Sequence, residues 1–396
     1  MVPADYSSVI LRFGEIGIKS NQTRRRMINL LTRHVELALR EKKVAFEKVH
    51  TVYGRIYIET PKAREAAEVA AKVFGIVSTS PTVETSAEMD EILNAGEQLA
   101  RAEFKTGLTF AVGARRIGEH SFSSQDLRVQ LGERILEGIP ELELRVNLSN
   151  PDQEIYVEVR DGKAHLFTQT IKGVGGMPTG SQGKVVCTIS TGLDSPIAAY
   201  KVMKRGCIPV FVHLDNAPYA DERCTEIVMK QAQLLANYIH GFKVKLYIVS
   251  HTHDIEEVQK HAPENMTCLF CKRNILRIAR EIAIQEDADA IVTGEIIGKQ
   301  ASHTTAILRA IENAVTDFPI LRPNAGNDSI DIEHLAQQIG LHEFTVEGSS
   351  CCSLNSKSTF VGTDPDQIAS FEESMDFGIL AKELKKARIV VLREGK

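Results

Sequence analysis

Ser190-Thr191-Gly192-Leu193-Asp194-Ser195 lies between an apolar run at 184–189 and a segment, 196–203, that opens on Pro196. Small residues, two serine hydroxyls and one carboxylate at a strand-to-helix turn suit the binding of phosphate or pyrophosphate. Free backbone N–H groups at a helix N-terminus point at an anion, and the helix dipole favours its charge. Gly192 lets a ligand approach the backbone, Ser190 and Ser195 add hydroxyl donors, and Asp194 offers a carboxylate for magnesium or for orientation. Proline near the first helical position loses no hydrogen bond there. Thr191 is the residue at odds, because a β-branched side chain fits poorly if the turn needs positive φ at that point. Gly183-Lys184 imitates another phosphate loop, but Val185 follows where Ser or Thr is required and Pro178 stands where glycine is.

A second chemical signal is Cys268-Leu269-Phe270-Cys271, directly before Lys272. Two thiols at this spacing can share a metal or form a redox pair. A complete four-thiolate zinc site would need a second such pair, which the sequence lacks. Cys351 and Cys352 are adjacent, so their side chains diverge and one of them reaches a shared partner. Cys187, inside an apolar run, and Cys207, at the start of another, read as inert core thiols, and Cys224 falls on a helix. His251-Thr252-His253-Asp254 has metal-like spacing without supporting ligands and reads as a loop. Seven cysteines, odd in number and sparse, do not build a disulfide framework.

The elements that must position these groups follow from pattern. With 396 residues, 43% apolar and 25% charged, the chain reads as two or three globular domains. No apolar run approaches the roughly 18 residues of a membrane span, and the first residues lack a signal-peptide pattern, so the expectation is a cytoplasmic protein with no membrane partner. Segment 1–75 reads as a strand at 8–13, a long amphipathic helix at 23–39, strand material at 52–58 around Tyr53-Gly54, and a helix at 62–73. Segment 76–172 reads as a strand at 108–112, a helix at 124–136, a turn at 147–152 and a strand at 155–160. Residues 173–183, with five glycines and a proline, read as a linker. From 184 onward strands (184–189, 207–214, 244–249, 288–292) alternate with helices (221–238, 272–285). That alternation predicts a parallel sheet with helices on both faces and ligands at the strand C-termini, where both 190–195 and Thr293-Gly294-Glu295 fall.

The net charge is −5, yet segment 1–75 holds 14 Lys and Arg against 8 Asp and Glu. Within it, a glycine-punctuated stretch containing Lys19 runs into Arg24-Arg25-Arg26, and Arg115-Arg116 follows the strand at 108–112. A local basic face of this kind can bind phosphates on an otherwise acidic protein.

The turn at 190–195 resembles the phosphate loop, SGGxDS, of the PP-loop ATP pyrophosphatases, with Thr191 replacing a glycine. Around it stand RFGEIGIKSNQTRRRM (12–27), VFGIVSTSPTVE (73–84), FAVGARRIGEHSFSSQDL (110–127), GGMPTGSQGKVVCTISTGLDSP (175–196), VTGEIIGKQASHT (292–304) and LRPNAGNDSIDI (321–332). In this order and spacing they resemble the tRNA 4-thiouridine synthetase family (ThiI) over essentially the whole chain. The resemblance implies an α/β multidomain protein: an N-terminal ferredoxin-like domain (1–75), a THUMP RNA-binding domain (76–172), a linker (173–183) and a C-terminal PP-loop domain (184–396), adenine nucleotide α-hydrolase-like.

It also implies ATP and Mg2+ as ligands and tRNA as partner. ATP contacts carry over to Thr188, Ile189, Ser190, Gly192, Ser195, His213, Leu214, Lys272, Gly294 and His303, the last where the family commonly has Gln. Asp194 would orient magnesium and pyrophosphate, and Lys272 would offset growing phosphate charge. Lys19, Arg24, Arg25, Arg26, Arg115 and Arg116 would contact RNA by shape and phosphate. Cys352, within CSLNSKST, aligns with the family's sulfur-handling cysteine. Cys268, Cys271 and Cys351 or Cys352 could hold an iron–sulfur cluster whose open iron carries sulfide, or form a persulfide resolved as a disulfide, or bind structural zinc. The match ends without the family's rhodanese domain, as in archaeal forms, so sulfur would come from sulfide or a persulfide-carrying protein. The expected reaction is adenylation of uridine 8 of tRNA, then sulfur transfer giving 4-thiouridine, AMP and pyrophosphate. Other readings are a PP-loop thiolase acting on another tRNA base, or a non-catalytic RNA-binding or sulfur-carrier protein whose loop Thr191 has inactivated. A thiamine-biosynthetic role and a homodimer are further family traits.

Overall fold

The computed structural model describes residues 6–52, 54–221, 223–300, 303–345 and 364–395. The chain forms two compact units, 1–178 and 179–396.

The first unit contains β1 (Ser8–Phe13), α1 (Asn21–Glu41), β2 (Lys48–Val52), β3 (Arg55–Glu59), α2 (Ala63–Ala71), β4 (Ile76–Ser86), α3 (Met89–Glu103), β5 (Thr109–Arg116), α4 (Ser124–Gly138), β6 (Arg145–Val146), β7 (Gln153–Arg160), β8 (Lys163–Phe167) and β9 (Ile171–Lys172). Its strands join one sheet in the order β2-β3-β1-β4-β8-β7-β5-β6, with β9 beside β4. The long strand β4 pairs β1 through Ile76–Thr82 positions and β8 through Val83 to Ser86. Period-two patterning sets the faces. Val9 and Leu11 enter the core beneath the helices with Leu31, Val35 and Leu39 of α1, whereas Ile10 joins Tyr57 and Phe167 on the opposite face. α4 begins in a capping box, Ser123 accepting from the Asp126 N–H and Asp126 from the Ser123 N–H. Gly173 shows why the glycine-rich stretch is glycine-rich: a Cβ there would lie 2.2 Å from the Ile76 carbonyl oxygen.

The second unit contains β10 (Lys184–Thr188), α5 (Asp194–Lys204), β11 (Ile208–Asp215), α6 (Cys224–Ala236), β12 (Val244–Ser250), α7 (Thr252–His261), α8 (Thr267–Glu286), β13 (Ala290–Val292), α9 (Thr305–Glu312), β14 (Ile320–Leu321), α10 (Ser329–Ile339), α11 (Pro365–Glu372), α12 (Gly378–Lys385) and β15 (Arg388–Arg393). Its sheet runs β14-β13-β10-β11-β12-β15. The first five strands are parallel, as alternation predicts, and β15 closes the β12 edge in antiparallel sense. The central strands are buried on both faces, which is why they read as continuous apolar runs.

Two local expectations are corrected. The helix expected from Lys272 starts at Thr267, so the Cys268–Cys271 pair lies inside its first turns. The loop expected at 251–254 is the start of α7. His251, fully buried, lies 2.8 Å from Asp254, one helical turn on, and His253 lies 3.0 Å from Glu383, so these groups serve internal pairing. The edge strand β15 was not foreseen. Among the described residues no helix is long and apolar enough to cross a membrane.

Candidate functional site

The C-terminal ends of β10, β11 and β13 open onto a cavity of about 270 Å³. It is lined by Thr188, Ile189, Ser190, Asp194, Ser195, His213, Leu214, Lys272, Gly294 and His303 among others. Parallel strands with α5 and α8 docked behind them bring together residues more than a hundred positions apart.

The turn at 190–195 is a hydrogen-bonded cup. The Ser190 N–H donates to Ser195 Oγ at 2.8 Å, and the two serine hydroxyls lie 2.9 Å apart. Thr191 is buried, and neither it nor Gly192 has positive φ, so threonine sits in this loop without backbone strain. Its carbonyl accepts from Gln231 Nε2 at 3.2 Å. Gly192 is exposed, a Cβ there would meet nothing within 4 Å, and it is not among the residues that line the cavity. Asp194 opens α5, and its backbone carbonyl accepts from Asn324 at 2.6 Å. Gly294 packs under Ser195 at a distance that admits no side chain.

Several buried cavity atoms make no hydrogen bond within the protein: His213 Nε2, Thr293 Oγ1 and Glu295 Oε2, the last lying 3.7 Å from Arg322 Nε. His213 donates Nδ1–H to the Ile189 carbonyl at 3.1 Å, and burial lowers its pKa, so Nε2 presents a lone pair. His303 donates Nδ1–H to the Ile296 carbonyl at 3.1 Å, and burial and then the Lys272 charge lower its pKa. A neutral imidazole so tied offers an acceptor through its other nitrogen. These acceptors suit the amino and hydroxyl donors of a nucleoside, and the serine cup suits its phosphates.

Lys272 lines the cavity half-buried, and burial draws its pKa down while Glu295, Cys271 and Cys268 pull it up. Cys268 and Cys271 are therefore within electrostatic reach of Lys272, both partly exposed, three apart and on one face of α8. Cys187 and Cys207 are buried thiols whose pKa values burial raises. Cys224, the first residue of α6, is buried as well. Among the described residues no group of three or more His, Cys, Asp or Glu is arranged to hold a metal. Cys351 and Cys352 lie outside the described residues.

In the first unit Lys19, Arg25 and Arg26 are exposed at the start of α1, while Arg24 bonds back to Asn21 and, at 3.3 Å, to the Gly17 carbonyl. Arg115 is exposed on β5 and Arg116 half-buried. Arg115 borders a cavity of about 970 Å³ on the helix-free sheet face, together with Arg12, Arg55, Tyr156 and Phe167. There Glu158 faces Arg160 at 2.5 Å, Arg55 at 3.2 Å and Arg12 at 3.9 Å, and Arg12 lies 4.9 Å over the Phe167 ring. Arg55 stands in a strand with no local motif, and Arg12, though it opens the stretch 12–27, carries no local signal for this cavity. Thr293 and Glu295 fall at a strand end where the alternation predicts a ligand, but with no individual contact, and Lys299 has no local signal at all.

Three family models match the chain: the ferredoxin-like domain of ThiI over residues 8–80, the THUMP domain over 86–169, and the thiamine biosynthesis protein ThiI over 180–377. A probable tRNA sulfurtransferase of Methanothermobacter thermautotrophicus is 36% identical over 378 residues, 94% of each chain. Another, of Thermococcus kodakarensis, is 38% identical over 349 residues, covering 86% of this chain and 89% of its own. Among solved structures, a 4-thiouridine synthetase in complex with RNA and bound ATP superposes with a TM-score of 0.86 at 29% identity, covering 98% of this chain and all of that one. The ferredoxin-like, THUMP and phosphate-loop architecture, carried through the whole chain with these relatives, makes this protein a member of the ThiI family.

Proposed function

We propose that this protein is a tRNA sulfurtransferase that uses ATP to adenylate O4 of uridine 8 and then replaces AMP by sulfur, leaving 4-thiouridine. The observation that carries this reading is one cavity holding a phosphate cup, a half-buried lysine and acceptors without hydrogen bonds, with two thiols beside that lysine on α8. The names of its relatives and the ATP- and RNA-bound neighbour support it.

The serine cup and the α5 N–H groups take the phosphates, while His213, Thr293 and His303 take nucleoside donors. O4 of the uracil attacks the α-phosphorus as the N3 proton is lost to solvent. The bond to the bridging oxygen breaks, and its electron pair leaves on pyrophosphate. Lys272 offsets the charge that grows there. Adenylation is required because a carbonyl oxygen is a poor leaving group and AMP a good one. The Asp194 carboxylate and Ser190 hydroxyl are the hard oxygen donors that Mg2+ prefers, and the ion would neutralise phosphate charge when bound.

Cys268, Cys271 and Cys352 handle the sulfur, which arrives as sulfide for a cluster or, for a cysteine persulfide, already at the persulfide level on a carrier protein. Cys268 and Cys271 on one helix face fit two thiolate ligands of an iron–sulfur cluster, with Cys351 or Cys352 as the third, and such a cluster supplies a place to hold sulfide. Lys19, Arg24, Arg25, Arg26, Arg115 and Arg116 grip tRNA phosphates in the cytoplasm.

The test is tRNA-dependent release of AMP and pyrophosphate from ATP by the anaerobically purified protein. The reading expects release with tRNA that has uridine 8 and none when that base is cytidine. ATP cleavage indifferent to that base points to a different target nucleoside. Iron and acid-labile sulfide lost on Cys268→Ala support the cluster, and a metal-free protein that still thiolates leaves persulfide chemistry on the same cysteines.

A further inference from the structure

Lys299 belongs to no contact carried over from the family, yet its Nζ lies 2.8 Å from Oδ1 of Asp194, a residue that lines the cavity. It lies in the stretch between β13 and α9 whose Gln300 and His303 line the cavity. We propose that Lys299 is a further phosphate-binding residue of this site, taking the β- and γ-phosphates of ATP and then the leaving pyrophosphate. The proposal rests on the ATP reading above.

Three observations carry it. Asp194 is the first residue of α5, so a group paired with it sits at the helix end where anions are held. The Lys299 side chain is 35% exposed, and a flexible four-carbon stem can carry its ammonium a short way from the carboxylate to a neighbouring phosphate. The charges also balance better with it. Lys272 stands within electrostatic reach of Glu295, and Arg322 is shared between Glu295 and Glu312, so Lys299 adds a further cation beside the carboxylates at this site. With Lys299 on the phosphates, the Asp194 carboxylate would be free to hold magnesium. When the bond between the α-phosphorus and its bridging oxygen breaks, the electron pair that leaves on pyrophosphate meets an ammonium already in place.

The experiment is a set of dissociation constants, by titration calorimetry, for ATP, pyrophosphate and AMP. The proteins are wild type, Lys299→Met, Lys299→Arg, Asp194→Asn, and Asp194→Asn combined with Lys299→Met. AMP has no β- or γ-phosphate and serves as internal control. Lys299→Met should weaken ATP and pyrophosphate by about ten- to a hundredfold, the size of one lost charge-assisted contact, and AMP by less than about twofold. Lys299→Arg should recover most of the loss. The loss should persist in the Asp194→Asn background. If it vanishes there, Lys299 only neutralises Asp194 and the proposal is overturned. Equal weakening of AMP and ATP, which marks a local structural defect, overturns it too. A wild-type protein that binds no ATP refutes the nucleotide reading itself.

Discussion

Gly294 and Ser195 touch backbone to backbone: a Cβ on Gly294 would fall 2.6 Å from both the N and Cα atoms of Ser195. The end of β13 and the first turn of α5 are thereby pressed together, and the phosphate cup takes its shape from that contact. Because the obstructing atoms are main chain, neither side can yield by a rotamer change. Gly294→Ala should cost about 1–3 kcal/mol of stability and displace the Ser195 N–H and hydroxyl. Thermal melting with ATP titration checks this, and ATP affinity should fall by more than tenfold. Unchanged affinity would mean the cup is not set by this contact.

Thr191 occupies ordinary backbone and is anchored through its carbonyl by fully buried Gln231. Replacing it by glycine should therefore leave ATP cleavage within about twofold and lower stability by about 0.5–1 kcal/mol through chain entropy. A large gain in activity would revive the idea that threonine impairs the loop.

The Lys272 ammonium must be charged to offset phosphate, and burial holds its pKa below the ordinary lysine value of 10.5. Its charged form is thus lost earlier on the alkaline side. The kcat/KM of AMP formation should fall with rising pH at values below 10.5, with no acid limb from this group. Lys272→Arg should move that limb out of range at a reduced rate, and Lys272→Met should lower kcat by about a hundredfold or more. An alkaline limb that stays put in the arginine variant would assign it to another group.

Glu372 of α11 joins α8 through two arginines, accepting from Arg273 Nε and Nη2 at 2.7 Å each and from Arg277 Nη2 at 2.6 Å. Burial pushes the carboxyl up, but the two guanidiniums outweigh it and hold the pKa below the ordinary value. The stabilisation is present above the unfolded carboxyl pKa, 4.5, and is lost as pH falls through the lower folded value. Glu372→Gln should cost about 3 kcal/mol at pH 7 by stranding buried arginines. Denaturant unfolding should show the difference from wild type closing in acid. A constant difference across pH would contradict the ionic account.

What the sequence revealed was local. β1 was read to its residue because its apolar run is self-contained; of the hairpin only the turn at Gly54 and most of β3 were legible, and β2 (Lys48–Val52), where a single residue is buried, was not. The phosphate turn was legible because it too is self-contained. The α8 start was misplaced because no capping side chain marks Thr267. β15 was missed because its register with β12, some 145 residues earlier in the chain, is written in neither segment alone. Lys299 with Asp194, and His213 beside His251, are products of the parallel sheet, which gathers strand ends that spacing cannot relate.

The most direct measurement is nucleoside analysis by mass spectrometry of unmodified tRNA after incubation with the protein, ATP, magnesium and sulfide. The account predicts ATP-dependent 4-thiouridine at position 8, lost with Lys272→Met and with Cys268→Ala. ATP consumed without any thiolated nucleoside, or sulfur appearing in another base, would contradict it.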